Sequence, residues 1–255
     1  MDLIKLIDKC NSLGINDVMD YNNFNYTSIV YHSIQIEGST LTELETQALI
    51  NEGFTPKGRP LRETLTVTDH YAALKFSLKQ AFLKRNITLE LIKEINAVVI
   101  KNTGNLYNTI YGTTDQVKGP FRKEDITNGF TSFPGFEKVE SLTADMVAKI
   151  NEIMKGTLTV SDQINLSFDA HFMLFCIHPF NDGNGRTSRL LMNYIQAYYN
   201  LPLSVVHYDA KAAYIQAIID TREKNDITIF RDFMNNEYEF LLKHEIDKFE
   251  QMNKH

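Results

Sequence analysis

Twelve consecutive residues, HPFNDGNGRTSR from His178 to Arg189, bring together a base, a carboxylate, two glycines and two arginines. His178 carries the side chain whose ordinary pKa lies nearest neutrality, the natural acceptor for the proton of a hydroxyl. Gly183 and Gly185 flank Asn184, and glycines permit a turn whose backbone N–H groups converge on an anion. The helix beginning there adds its own free N–H groups. Arg186 and Arg189 are three apart and share a face. Cations are disfavoured at the positive start of a helix, so this placement requires something anionic with more than one charge, such as a polyphosphate. Asp182 beside such a nest makes sense if Mg²⁺ bridges it to phosphate oxygens. The set suits phosphoryl-type transfer, in which positioning and charge stabilisation dominate.

Each piece has an ordinary reading alone: a helix-end histidine, a turn glycine, a capping aspartate, solvated arginines. Their coincidence at this spacing favours the chemical one. The segment is neither a Walker A loop nor a dinucleotide-binding fingerprint.

The surrounding chain reads as helical. Apolar periodicity predicts helices over Leu3–Ser12, Asn23–Glu37, Thr42–Asn51, Leu65–Lys84, Leu89–Lys101, Leu142–Met154, Ser161–Ile177, Asn184–Tyr199, Ala210–Lys224 and Ile227–Glu250. Thr42 with Glu45 forms a capping box, Thr88 opens a helix, and Gly38 and Gly104 read as C-terminal stops. Pro179 ends the helix before it and presents His178 at a bend. From Tyr107 to Val139 the pattern breaks into Gly, Thr, Asn and Pro, with a short hairpin expected around ITNGFTSF. A loop of that length in a helical domain is usually functional. The expected class is all-α, a helical bundle with a small β-hairpin flap.

With 255 residues, a net charge of −6 and no basic block, the chain's composition argues against a general nucleic-acid or acidic-membrane binder and leaves room for a local anion site. No apolar run is long enough to span a bilayer, and the amphipathic N-terminus lacks the features of a signal peptide. The default compartment is a reducing cytoplasm. Cys10 and Cys176 have no metal or redox spacing, and Cys176 is expected to be buried. Apart from His178, the histidines form no metal pattern, and His171 is expected in the core.

HPFNDGNGRTSR resembles the complete Fic motif, HxFx(D/E)GNGRxxR, and residues 60–240 resemble the family around it. The resemblance implies a Fic fold and transfer of AMP from Mg²⁺·ATP to a protein Ser, Thr or Tyr hydroxyl, the protein itself being one candidate target. By position, His178 would be the general base, Phe180 the core anchor and Asp182 the Mg²⁺ ligand. Gly183, Asn184 and Gly185 would line the anion hole, while Arg186 and Arg189 grip the outer phosphates. Ile126, Thr127, Asn128 and Gly129 would form the flap strand that aligns the target and touches the nucleotide. Tyr214 would border the base pocket.

SIQIEG, residues 33–38, resembles the family's inhibitory motif (S/T)xxxE(G/N). Ser33 and Glu37 share a helix face, and Glu37 sits at the negative end of its helix, where a carboxylate is unfavourable. A bidentate contact with Arg189 would satisfy both misplaced charges. Residues 1–60 are therefore expected to be a helical extension carrying Ser33, Glu37 and Gly38, and residues 61–255 the Fic core with its C-terminal helices, in one compact unit. A homodimer that buries the N-terminal helix is compatible with this pattern. Two alternatives stay open: removal of AMP, with Glu37 orienting water, and a non-catalytic nucleotide-binding regulatory module.

Overall fold

The computed structural model describes residues 3–15, 19–109, 112–127 and 132–252. Ten α-helices are found among the described residues: α1 Leu3–Ser12, α2 Met19–Ile36, α3 Glu43–Glu52, α4 Leu61–Phe82, α5 Leu89–Val99, α6 Phe136–Met154, α7 Val160–Ile177, α8 Asn184–Tyr198, α9 Lys211–Lys224 and α10 Ile227–Met252. Two short antiparallel strands, β1 Leu106–Thr109 and β2 Gly112–Asp115, pair with Leu106 opposite Asp115 and Thr109 opposite Gly112.

Helix α8 is the axis of the bundle. Every residue from Asn184 to Ala197 is buried, with α7 and α4 packed most extensively against it and α5 and α2 adding to the cover. A helix enclosed on all sides is normally apolar all round, yet α8 carries Asn193 and Gln196 in its middle. Buried amides need partners, and these find them in one loop. Asn193 donates to the Ser204 carbonyl, and Gln196 both donates to the Ser204 hydroxyl and accepts its backbone N–H. The polar residues thereby fix the chain after α8 instead of disrupting the core. At the far end of the molecule α1 buries Leu6, Ile7 and Cys10 against α10.

Helix starts follow the expected side-chain chemistry at three places. Thr42 and Glu45 form a reciprocal capping box, Thr159 and Asp162 form another, and Thr88 accepts the Leu91 N–H. Gly38 turns with φ 98°, in the left-handed region, and stops α2. Gly104 is no such stop: α5 ends at Val99, and a side chain at 104 would meet the Ile100 carbonyl and Val117 at 3.0 Å.

The irregular region is more structured than its sequence suggests. The regular hairpin lies at 106–115, whereas ITNGFTSF contributes one antiparallel bridge, Thr127 to Ser132. Helix α6 begins at Phe136, six residues before Leu142. Its cap comes from outside: Asp125 accepts the Phe136 N–H at 2.8 Å, a partner eleven positions upstream that local pattern cannot reveal. Likewise α4 starts at Leu61, directly after Pro60, not at Leu65. No helix among the described residues is long and apolar enough to cross a membrane.

Candidate functional site

The site forms where α7 ends and α8 begins. His178 adopts a left-handed backbone, φ 54° and ψ 59°, uncommon for a residue with a side chain. Pro179 bars it from continuing the helix. Two hydrogen bonds hold the bend: the His178 N–H to the Leu174 carbonyl at 3.0 Å, and Arg122 Nε to the His178 carbonyl at 2.9 Å. The imidazole stacks on Phe133 with ring centres 3.9 Å apart. Its Nδ1 faces the Phe175 carbonyl at 3.3 Å, so the proton belongs on Nδ1 and the lone pair on Nε2. Burial pushes the imidazole down to about 4, against the Phe175 carbonyl and Glu37, which push up; Arg122 and Arg222 push it down further. The ring is neutral at neutral pH, as a base must be.

Asn184 closes the loop like a clasp. Its amide donates to the Phe180 carbonyl at 2.6 Å, and its oxygen accepts the Phe180 N–H at 2.9 Å. This side chain is spent on the bend itself, while Asn184 lines the smaller cavity together with Gly183 and Gly185. Phe180 is buried against Phe121, as an anchor should be. Gly183 turns with φ 79° at the start of α8, and a Cβ there would meet Asn96 Nδ2 at 2.9 Å. Asn96 donates to the Asp182 carbonyl and to the Thr187 hydroxyl, so α5 supports the turn from beneath.

Asp182 Oδ1 accepts from the Gly183 N–H at 2.6 Å and from Arg186 at 3.1 Å, while Oδ2 lies 3.6 Å from Arg62. Arg186 also reaches the Val99 carbonyl. Arg189, buried at 4% exposure, donates Nε to the Ser33 hydroxyl at 2.8 Å, and Nη2 to the Ser33 carbonyl at 3.0 Å and to Glu37 Oε1 at 2.5 Å. Thus Ser33 and Glu37, 156 and 152 residues from Arg189 in sequence, meet it in space. Burial pushes the Glu37 carboxyl up, but the Arg189 and Arg186 guanidiniums outweigh it and the net displacement is downward. Its 38% side-chain exposure is that of a wall facing a cavity rather than the outer surface.

Glu37 stands between two cavities. One, of about 230 Å³, is lined by Glu37, His178, Asp182, Gly185, Arg189 and Tyr214. The other, of about 350 Å³, is bordered by Glu37, Arg62, Thr103, Asp182 and Arg186. The first is smaller than the roughly 300–1,000 Å³ usual for small-molecule sites. A Cβ on Gly185 would lie 2.4 Å from Glu37 Oε1, so the carboxylate rests directly on the start of α8, where an anion would bind. Arg186 Nε and Arg189 Nη1 are buried without partners. Unpaired buried guanidinium donors beside an open space fit an anionic ligand.

Asp182 is the carboxylate available for a cation beside that anion. No group of three or more His, Cys, Asp or Glu side chains among the described residues is arranged to hold a metal. The donor set suits an ion that takes one protein carboxylate and completes its shell with phosphate oxygens, the habit of Mg²⁺.

Tyr214 is wholly buried, its hydroxyl 2.9 Å from His171 Nε2 and beside the Arg189 guanidinium. It lines the smaller cavity, and His171 is the core histidine expected. Of the flap positions, Thr127 is exposed and Ile126 half-buried, and neither lines that cavity. Asn128 and Gly129 lie outside the described residues. Cys176 is half-buried, not fully so, because it faces a groove beside α6.

The profile of the Fic/DOC family matches residues 86–196, a span that contains the whole bend and both arginines. The chain is a Fic-domain protein. Among curated relatives, this Fic chain is 29% identical to the Caenorhabditis elegans protein adenylyltransferase fic-1, over 85% of this chain and 43% of that one. It is 28% identical to the Drosophila melanogaster protein adenylyltransferase Fic, over 82% and 40%. The chain spans less than half the length of these relatives. Its fold matches a Fic domain-containing signalling protein from Bacteroides thetaiotaomicron, with a TM-score of 0.84, 24% identity and 98% of each chain covered. It also matches C. elegans Fic-1, with a TM-score of 0.79, 25% identity, and 98% and 72% covered.

Three contributors to the Fic site escape sequence reading: Arg122, Asn96 and Phe133. Arg122 sits in KGPFRKED beside the exposed Lys123, and nothing in the pattern separates the buried cation from its neighbour.

Proposed function

We propose that the protein transfers AMP from Mg²⁺·ATP to a Ser, Thr or Tyr hydroxyl of a protein, itself among the candidate targets, and that Glu37 restrains this transfer. His178 Nε2 takes the proton of the target hydroxyl, whose oxygen bonds the α-phosphorus. The bond to the β-phosphate breaks and pyrophosphate departs with the electron pair. The α8 N-terminus and the two arginines balance the charge that develops. Mg²⁺ held by Asp182 would neutralise phosphate oxygens during this step. In this reading residues 1–60 carry the restraint and residues 61–255 the catalytic core.

The observation that carries the restraint is the Glu37–Arg189 contact at the head of α8. It occupies a guanidinium otherwise aimed at phosphate and divides the space that a triphosphate needs. The test is intact-mass analysis of Glu37→Gly after incubation with Mg²⁺·ATP. We expect an AMP adduct on the variant or on an added protein target, with far less on the parent. A Glu37 variant that binds ATP yet stays as silent as the parent would overturn the restraint.

One observation favours a second reading, removal of AMP. Glu37 is held as a carboxylate on the wall it shares with His178, able to orient water. In that case Glu37→Gly loses AMP release from a modified protein.

A further inference from the structure

Arg122 is a cation near His178 that lines neither cavity. Its side chain is fully enclosed, and its nearest carboxylate, the exposed Asp125, lies 3.8 Å away. A buried guanidinium whose counter-ion is exposed and at that distance is costly unless each of its nitrogens finds an acceptor. Arg122 uses them on carbonyls from three separate segments: Nε on His178 at 2.9 Å, Nη1 on Glu124 at 2.8 Å and Nη2 on Pro134 at 2.5 Å. Its backbone N–H adds the Pro179 carbonyl at 2.9 Å. Glu124 and Pro134 are the two feet of the flap, and His178 and Pro179 are the bend. A planar fork with five donors can join three such points, whereas a lysine ammonium cannot.

We propose that Arg122 is a positioning residue, whose guanidinium joins both feet of the flap to the backbone of His178 so that flap placement and imidazole orientation change together. It touches no substrate. Its task is to hold the left-handed backbone that aims Nε2 while fixing Phe133, which stacks on the imidazole. Helix α9 braces the same flap end: Arg222 donates to the Ser132 carbonyl at 2.8 Å. A chain seated on the flap would therefore be registered against the base, and on this point the inference rests on the transfer reading above.

The charged groups facing the imidazole are Arg122 from the flap base, Arg222 from α9 and Glu37 from the end of α2. Removing the Arg122 charge takes away one cation that holds the imidazole down and loosens the ring that buries it. Both changes raise its pKa from about 4 toward its ordinary value.

The test compares Arg122→Gln and Arg122→Lys, each in the wild-type chain and with Glu37→Gly. The first readout is an NMR titration of the His178 imidazole, which needs no activity. Arg122→Gln should raise its pKa by about one unit or more, and Arg122→Lys should leave it within a few tenths. The second is nucleotide handling in the Glu37→Gly background. Both variants should bind Mg²⁺·ATP within about threefold of the parent, while kcat falls about 100-fold, a typical cost of misaligned acid–base groups. An unmoved imidazole in Arg122→Gln, or kcat within threefold of the parent in Arg122→Lys, overturns the proposal. If Arg122→Gln does not fold, the lysine variant decides alone: slow transfer with an unshifted imidazole supports the positioning role. A Glu37→Gly parent without transfer would sink the transfer reading, while the titration still judges Arg122.

Discussion

The bend at 178–189 and the segment at 33–38 meet at Arg189 but are held in opposite ways. The bend is held many times over, by its own side chains and by Arg122 and Asn96 from neighbouring segments. Asn184 clasps Phe180, Gly183 donates to Asp182, and Arg186 returns to Asp182, all within a few residues and largely out of water. The Glu37 carboxylate has Arg189 as its hydrogen-bond partner, lies past the last turn of α2 and is more than a third exposed. One region is scaffold; in the reading proposed above, the other is a plug that rotation about side-chain bonds would withdraw.

The sharpest way to break this contrast is at His178, whose imidazole supports the fold through little more than its stacking on Phe133 and one 3.3 Å contact to the Phe175 carbonyl. With Glu37→Gly present, His178→Ala should cost 10²–10⁴-fold in AMP transfer, the usual range for a general base. Mg²⁺·ATP binding measured by calorimetry should stay within about threefold. Equal loss of binding and transfer would mean that the ring is part of the scaffold.

Next in size is Asn184→Ala. It strands two buried backbone groups of Phe180, each worth about 1–3 kcal/mol when unpaired. A total near 3 kcal/mol lowers Tm by about 6–12 °C in a chain of this size. Because the clasp also shapes the anion turn, ATP should then fail to restore the lost Tm. A variant as stable as the parent would show that the contacts of Asn96 and Arg122 suffice to hold the bend without the clasp.

How much of this could be read in the chain follows the same division. The ten helices were legible because apolar spacing and caps such as Thr42 with Glu45 are local signals. The bend was legible because its base, carboxylate, glycines and arginines are contiguous. The start of α6 was not, since Asp125 caps it from outside the helix. Arg122 and Asn96 were not, because whether a polar side chain is buried depends on carbonyls that the fold brings from other segments. Ser33 and Glu37 lie between. Charge placement made Arg189 a reasonable partner, but the resemblance to the inhibitory motif selected it. The Asn184 clasp shows the limit: the motif contains the residue, but its side-chain partners on Phe180 follow only from the folded bend.

The smallest expected effect separates two ways of withdrawing the plug. Ser33 gives Arg189 both a hydroxyl and a carbonyl acceptor. If α2 moved away as a unit, both would be lost on opening. Ser33→Ala would then favour the open state by about 1.5 kcal/mol, raising transfer roughly tenfold. If only the Glu37 side chain swings, Ser33 keeps its contacts in both states and the substitution leaves the balance alone. The packing favours the second course. Ile29, Val30, Ile34 and Ile36 are buried, and Gln35 donates to the Leu41 carbonyl, so shifting α2 would expose much apolar surface for the release of one carboxylate. Ser33→Ala should therefore change AMP transfer by less than about twofold, measured beside Glu37→Gly in the same assay. A tenfold rise would make the whole helix the moving part.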